Sequence, residues 1–261
     1  ADKITAKTKA IIPVGLYGQV ADMITINEIA AIYSEKLGQH ITVIEDAAQS
    51  FGADLNGKKS GHLSEIACTS FFPSKPLSCY GDGGAVLTQS KTLADKMASL
   101  RVHGQTAPYH HDYIGMNARL DTIQAAITQV KLNRFPTELK QRQAVAKRYD
   151  ALLQAAGFNI PLIKPDRTSA YAQYTVRVND RDAVQSALKT KGIPTAVHYP
   201  TPLHLQPCFK DFGFKAGDFP VSERVSQEVM SLPMCAFLTE ANQDVIVEAL
   251  KATVNSEVLD D

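Results

Sequence analysis

From Ile41 the chain reads Ile-Thr-Val-Ile and then stops on Glu45 and Asp46. A continuous β-branched run of this kind suits a strand buried on both faces of a parallel sheet. Parallel neighbours need a crossover between them, so the surrounding sequence must supply helices and further strands. It does. Ala10-Ile11-Ile12-Pro13-Val14 is a short apolar strand, followed by a loop containing Gly15 and Gly18. From Thr25 to Leu37, the residues Ile26, Ile29, Ala30, Ile32 and Tyr33 mark one helical stripe, with Gly38 at the C-cap position. Glu65 to Phe72 and Gly83 to Leu87 read as two more strands, the second entered through Gly81-Asp82-Gly83-Gly84. Lys91 to Val102 then reads as a helix.

A longer helical pattern starts near Leu120 and carries Ile123, Ala126, Ile127 and Val130 on one face. Pro136 is expected to interrupt or kink it, with a second stretch from Leu139 to Ala156 stopped by Gly157. Beyond this the texture changes. Ala172 to Val178 and Ile193 to Val197 are strand-like, Arg181 to Lys191 is helical, and Tyr199-Pro200-Thr201-Pro202 is proline-rich. Helical stretches at Ser222 to Met230 and Glu240 to Val254 follow. The pattern predicts an α/β fold: a large domain over residues 1–134, then a linking helix and a smaller α+β domain over 135–261.

Lys plus Arg and Asp plus Glu each number 27, so no basic face points to nucleic acid or an anionic membrane. With 44% hydrophobic and 21% charged residues the chain is an ordinary globular protein. No apolar run approaches the ~20 residues of a membrane span, and the first residues lack a secretory signal core. A cytoplasmic location is expected. Cys68, Cys79, Cys208 and Cys235 have no paired-ligand spacing and read as reduced thiols or small core residues, with core packing expected for Cys68 in its apolar strand. His110-His111-Asp112 reads as an exposed loop, and no metal site is expected.

Chemistry concentrates between residues 41 and 84. Asp46 ends a buried strand, where open α/β sheets bind ligands, although aspartate there also suits a helix N-cap. Lys75, in Ser70-Phe71-Phe72-Pro73-Ser74-Lys75-Pro76, follows another strand between prolines. A lysine in an apolar site loses its proton readily and adds to carbonyls; a surface turn is the other reading. The Gly81–Gly84 turn could bring backbone close to an anion or simply reverse the chain, and it matches neither a P-loop nor a dinucleotide fingerprint. Taken together, a carboxylate for a pyridinium nitrogen, a serine for a phosphate and a lysine for an aldehyde are what pyridoxal phosphate needs.

The segments EDAAQSFGA, SFFPSKPLSCYGDGGAV, RVHGQ and IGMNARLDTIQAAI resemble the DegT/DnrJ/EryC1/StrS sugar aminotransferases, and the likeness runs through essentially the whole chain. It implies a fold-type I pyridoxal-phosphate-dependent transferase that aminates keto groups on nucleotide-linked sugars, with glutamate as amino donor. Within the family the chain is most similar to the uronic-acid branch. That branch aminates the 3-keto group of UDP-2-acetamido-2-deoxy-glucuronic acid for bacterial surface polysaccharide. Another nucleotide-sugar 3- or 4-aminotransferase is the alternative. Relatives that dehydrate sugars carry histidine in place of the lysine.

By the same resemblance Lys75 is the Schiff-base lysine, Asp46 the pyridinium partner, Gln49 a contact near the phenolic oxygen and Ser70 a phosphate ligand. Asn117 would reach the phosphate from the neighbouring subunit of a homodimer with shared sites. Arg119, His198 and Tyr199 would contact the substrate, since a guanidinium donates two parallel hydrogen bonds to a carboxylate. Members of the family carry on the order of a hundred residues ahead of the strand at Ala10, including a phosphate loop and an aromatic residue that stacks on the cofactor. A chain without them is expected to have an incomplete cofactor site, which leaves a non-catalytic dimerisation module as a further possibility.

Overall fold

Ala10–Ile11 forms β1, Met23–Leu37 forms helix α1 and Thr42–Asp46 forms β2, and the two strands pair in parallel as a helical crossover requires. Gly38 ends α1 at φ 60°, its amide turning back to the carbonyls of Glu35 and Ser34. The structure is a computed structural model and describes residues 1–257. A small antiparallel hairpin, β3 (Asp54–Leu55) and β4 (Lys58–Lys59), is too short for any periodicity to announce it. It is followed by β5 (Ile66–Ser70) and β6 (Gly84–Thr88), completing a four-stranded sheet in the order β1-β2-β5-β6.

The sheet departs from expectation in two ways. First, β5 is parallel to β2, but β6 runs antiparallel to β5. No helix lies in the Phe71–Gly83 connection, so the chain can only turn back on itself. Second, β2 is not buried on both faces. Val43 and Glu45 are buried while Thr42, Ile44 and Asp46 are half-buried. One face packs into a core of Val20, Met23, Ala30, Val43 and Leu55; the other carries Asp46.

Helix α2 (Lys91–Arg101) starts at Ser90, whose hydroxyl accepts the Leu93 amide at 3.3 Å. A hairpin of β7 (Gln105–Ala107) and β8 (His110–His111) follows; both histidines are exposed, and no metal-binding cluster occurs among the described residues. Helix α3 (Thr122–Ala155) then runs unbroken through Pro136. This corrects the expected interruption. Proline removes one hydrogen bond, to the carbonyl of Leu132, and that residue lies on the exposed side. The next residue inward, Phe135, is buried and stacks on Phe51 with ring centroids 5.9 Å apart, holding the helix on both sides of the defect. The helix stops at Gly157 (φ 84°), where Gly157 and Phe158 donate back to Gln154 and Leu153.

The chain divides into two units: residues 1–139 with 163–172, and the remainder. In the second unit, β9 (Tyr174–Arg177) and α4 (Arg181–Thr190) precede α5 (Pro220–Glu228), β10 (Val229–Leu232) and α6 (Glu240–Glu257). Here the sequence reading misplaced a strand. The helix expected to reach Met230 ends at Glu228, and the fully buried Val229–Leu232 pairs antiparallel with β9. The strand expected at Ile193–Val197 shrinks to one bridge, Ala196 to Ser231, because Pro194 has no amide to continue a ladder. The core of this unit centres on Tyr149 and Tyr174, whose hydroxyls donate to Pro233 O (3.0 Å) and Asp150 Oδ1 (2.6 Å). No helix among the described residues is long and apolar enough to cross a membrane.

If Phe135 is what tolerates the proline, Phe135→Ala should lower stability by about 3–5 kcal/mol in urea unfolding. Pro136→Ala restores the missing amide and should not lower it.

Candidate active site

The register of β2 on β5 sets the site. Asp46 is paired with Cys68, and Ser70 lies two residues further along β5. Strand alternation therefore turns Asp46, Cys68 and Ser70 toward one sheet face. The adjacent carboxylate takes the opposite direction. Glu45 is 2% exposed, and its oxygens accept from Ser60 Oγ at 2.7 Å, Gly61 N at 3.0 Å and Leu63 N at 3.2 Å. Ser60 in turn bonds Ser50 across 2.8 Å. Glu45 ties down the loop under the sheet. The sequence reading took the two acidic groups together; the alternation of the pleat was the signal that could have separated them.

Asp46 Oδ1 accepts the Ala48 amide at 3.0 Å, capping a turn, because no helix follows. Its second oxygen has no hydrogen-bond partner among the described residues. Gln49 is buried, and its Oε1 accepts the backbone amide of Tyr17, which leaves Nε2 to donate elsewhere. Ser70 Oγ accepts the Phe72 amide at 3.2 Å, leaving its own proton to donate. Lys75 is half-buried in the turn that leaves β5, held by its amide to Phe72 O at 2.9 Å, and its Nζ pairs with no carboxylate or acceptor among the described residues. Burial, and secondarily the Asp46 carboxylate, push the Cys68 thiol up, so a neutral S–H lies beside Asp46 at neutral pH.

Asp46 and Ser70 end two adjacent strands, and Gln49 and Lys75 follow in the turns that leave them. They offer an open carboxylate oxygen, two free donors and a free amine. The donor set matches pyridoxal phosphate group by group: a carboxylate for the protonated ring nitrogen, an amide for the phenolic oxygen, a hydroxyl for the phosphate and an amine for the aldehyde. The Gly81–Gly84 turn plays a different part. A Cβ on Gly84 would stand 2.7 Å from Thr69 O, and one on Gly83 would stand 2.8 Å from Leu120 Cδ1. These glycines allow close packing against β5 and the segment before α3.

Asn117 and Arg119 lie together on the exposed segment between β8 and α3. Arg119 Nε donates to Asn117 Oδ1 at 3.0 Å, and Asn117 also bridges to Val102. Arg119 makes no ion pair among the described residues. His198 and Tyr199 belong to the second unit. His198 Nδ1 lies 3.0 Å from Ser231 Oγ, and the exposed Tyr199 ring meets it edge-on with centroids 5.6 Å apart.

The fold is that of the fold-type I pyridoxal-phosphate-dependent transferases, on the evidence of solved sugar aminotransferases. A family aminotransferase from Brucella abortus superimposes with a TM-score of 0.87 at 39% identity, over 94% of this chain and 64% of that one. DesV from S. venezuelae gives 0.88 at 36% identity, over 95% and 66%. The profile of the DegT/DnrJ/EryC1/StrS aminotransferase family matches residues 1–251, and the chain belongs to that family. The UDP-2-acetamido-2-deoxy-3-oxo-D-glucuronate aminotransferase of Pseudomonas aeruginosa is 51% identical over 247 residues, 95% of this chain. The chain spans 66% of that relative's length.

Removing the Glu45 carboxylate strands the Gly61 and Leu63 amides. Glu45→Ala should therefore cost about 1–3 kcal/mol of stability, read by urea unfolding. Its Gln variant, which keeps one acceptor, should lose less.

Proposed function

We propose that the full-length protein is a pyridoxal-phosphate-dependent aminotransferase acting on a nucleotide-linked keto-sugar, with glutamate as amino donor. The observation that carries this reading is the unpaired Lys75 amine in the turn leaving β5, together with Asp46 and Ser70 at the ends of adjacent strands and Gln49 in the turn after β2, each with matched polarity. When bound, pyridoxal phosphate supplies an aldehyde carbon to which amines add and a ring that takes up the electron pair left when the neighbouring C–H bond breaks.

The chain's own groups would do the rest. The free oxygen of Asp46 would hold the proton on the ring nitrogen. Gln49 Nε2 would donate to the phenolic oxygen and Ser70 Oγ to the phosphate. Lys75 Nζ would carry a proton between the substrate carbon and the cofactor's former aldehyde carbon as general acid and base. Cofactor binding would thus fall within residues 1–134.

The substrate reading is the 3-keto group of UDP-2-acetamido-2-deoxy-glucuronic acid, supported by the 51% identity to the Pseudomonas enzyme of that name. Arg119, His198 and Tyr199 would contact the sugar. We also infer a homodimer with shared sites, formed in the cytoplasm. Around Asn117 and Arg119 the surface is apolar: Ile114 is 100% exposed, Ile123 74% and Met116 64%. A second copy would cover that surface and receive the Asn117–Arg119 pair at its own phosphate and substrate.

Two experiments test the reading. Full-length protein loaded with pyridoxal phosphate should show a visible or near-ultraviolet band from covalently held cofactor, and Lys75→Ala should abolish it; an unchanged spectrum would sink the assignment. Arg119→Ala should depress kcat/KM for the UDP-linked 3-keto-glucuronate by about 2–5 kcal/mol, the loss expected for one half of a desolvated charge pair. A 6-hydroxymethyl analogue should lose only about 1 kcal/mol. Equal losses on both would make Arg119 structural.

A further inference from the structure

The turn that carries Lys75 is closed by groups that have no part in the reading above. At its neck Phe71 N donates to Gly83 O and Cys79 N donates to Phe71 O, both at 2.8 Å. The Cys79 thiol is 0% exposed and reaches the same Phe71 carbonyl at 3.1 Å and the Gly81 carbonyl at 2.9 Å. A thiol suits this place: it packs as a small hydrophobe among Phe71, Leu77 and Phe135 while still offering one weak donor. Helix α3 grips the far limb. Gln124 Oε1 accepts the Tyr80 amide at 2.8 Å, and its Nε2 stands 3.0 Å from where a Cβ on Gly81 would be. Lys131 Nζ donates to Ser78 Oγ and lies 5.4 Å from the Tyr80 ring centroid.

Lys75 itself contributes only its turn bond to Phe72, so its amine is placed by the loop and not by contacts of its own. We propose that Cys79 and Gln124 are positioning residues for Lys75: the buried thiol shuts the neck of the loop and the helix amide fixes its returning limb. The positioning role rests on the reading of Lys75 as the reactive amine; the clasp itself does not. An error of ~1 Å in a reacting group can cost about 10²-fold in rate, so a loosened loop should act mainly on kcat.

The test uses full-length protein carrying Cys79→Ala or Gln124→Ala, with Cys79→Ser and Gln124→Glu as variants that keep the donor and the acceptor. Amide hydrogen exchange, measured without cofactor, should quicken at least ~10-fold across residues 72–83 in both alanine variants while β5 and β6 stay protected. With cofactor, the pH midpoint of the visible band should move by about half a unit or more. In the same samples kcat should fall about 10- to 100-fold, with KM for glutamate held within about twofold. Ser and Glu at the two sites should restore most of each effect. Unchanged exchange in both alanine variants overturns the clasp, whether or not cofactor binds. Faster exchange with an unmoved midpoint and unmoved kcat overturns the positioning role. Absence of the band in unsubstituted protein defeats the cofactor reading instead, and faster exchange there still supports the clasp.

Discussion

The parallel pairing of Thr42–Asp46 with Ile66–Ser70 is the constraint on which the rest of the first unit depends. Parallel strands leave their carboxyl ends on the same side of the sheet, so whatever follows each strand emerges together. The turn after Asp46 and the turn after Ser70 are thereby neighbours: Asp46 and its register partner Cys68 are distant in sequence but one strand spacing apart in the sheet. A slip of one residue would exchange Asp46 for Glu45 on the open face and bury the wrong carboxylate. The bonds from Ser60, Gly61 and Leu63 to Glu45 oppose that slip, because in the shifted register those donors would lose their acceptor.

A second constraint comes from α3. Its first half meets the loop between β5 and β6 through Gln124, Lys131 and Phe135, so the helix that follows the sheet also shapes the turn carrying Lys75. The residues of this helix do two jobs on different faces. Phe135 belongs to the buried face, and Ile123 and Val130 are exposed apolar residues of the kind a second subunit would cover. A single proline inside such a helix is tolerable because packing of the buried face outweighs one absent hydrogen bond.

Much of this was legible in the residues. The helices at Met23–Leu37 and Lys91–Arg101 were legible, the first with a clear stop at Gly38, although Ile32 of its expected stripe is 51% exposed. The cofactor-type residues stood out because Asp46 and Ser70 close strands that the apolar runs had already marked, and Lys75 follows the second of them. What escaped were features whose cause lies across the fold. The two hairpins of two or three residues per strand have no period to detect. Val229–Leu232 looks the same in a helix or a buried strand until its partner Tyr174–Arg177 is known. Glu45 drew no notice as a structural group, and Cys79 was read only as a small core residue or reduced thiol, since both bonding roles depend on carbonyls and amides brought up from elsewhere.

By itself, then, the sequence determined the family, the α/β class and the main elements of the four-stranded sheet with its helices, because apolar period, caps and motif chemistry are local properties of a chain. The tertiary structure alone decided which carboxylate faces the open side of the sheet, that β6 returns antiparallel, that α3 survives Pro136, and what closes the loop around Lys75. Each of those outcomes turns on a hydrogen bond or packing contact between residues distant in sequence, and no local pattern records which distant partner will be there.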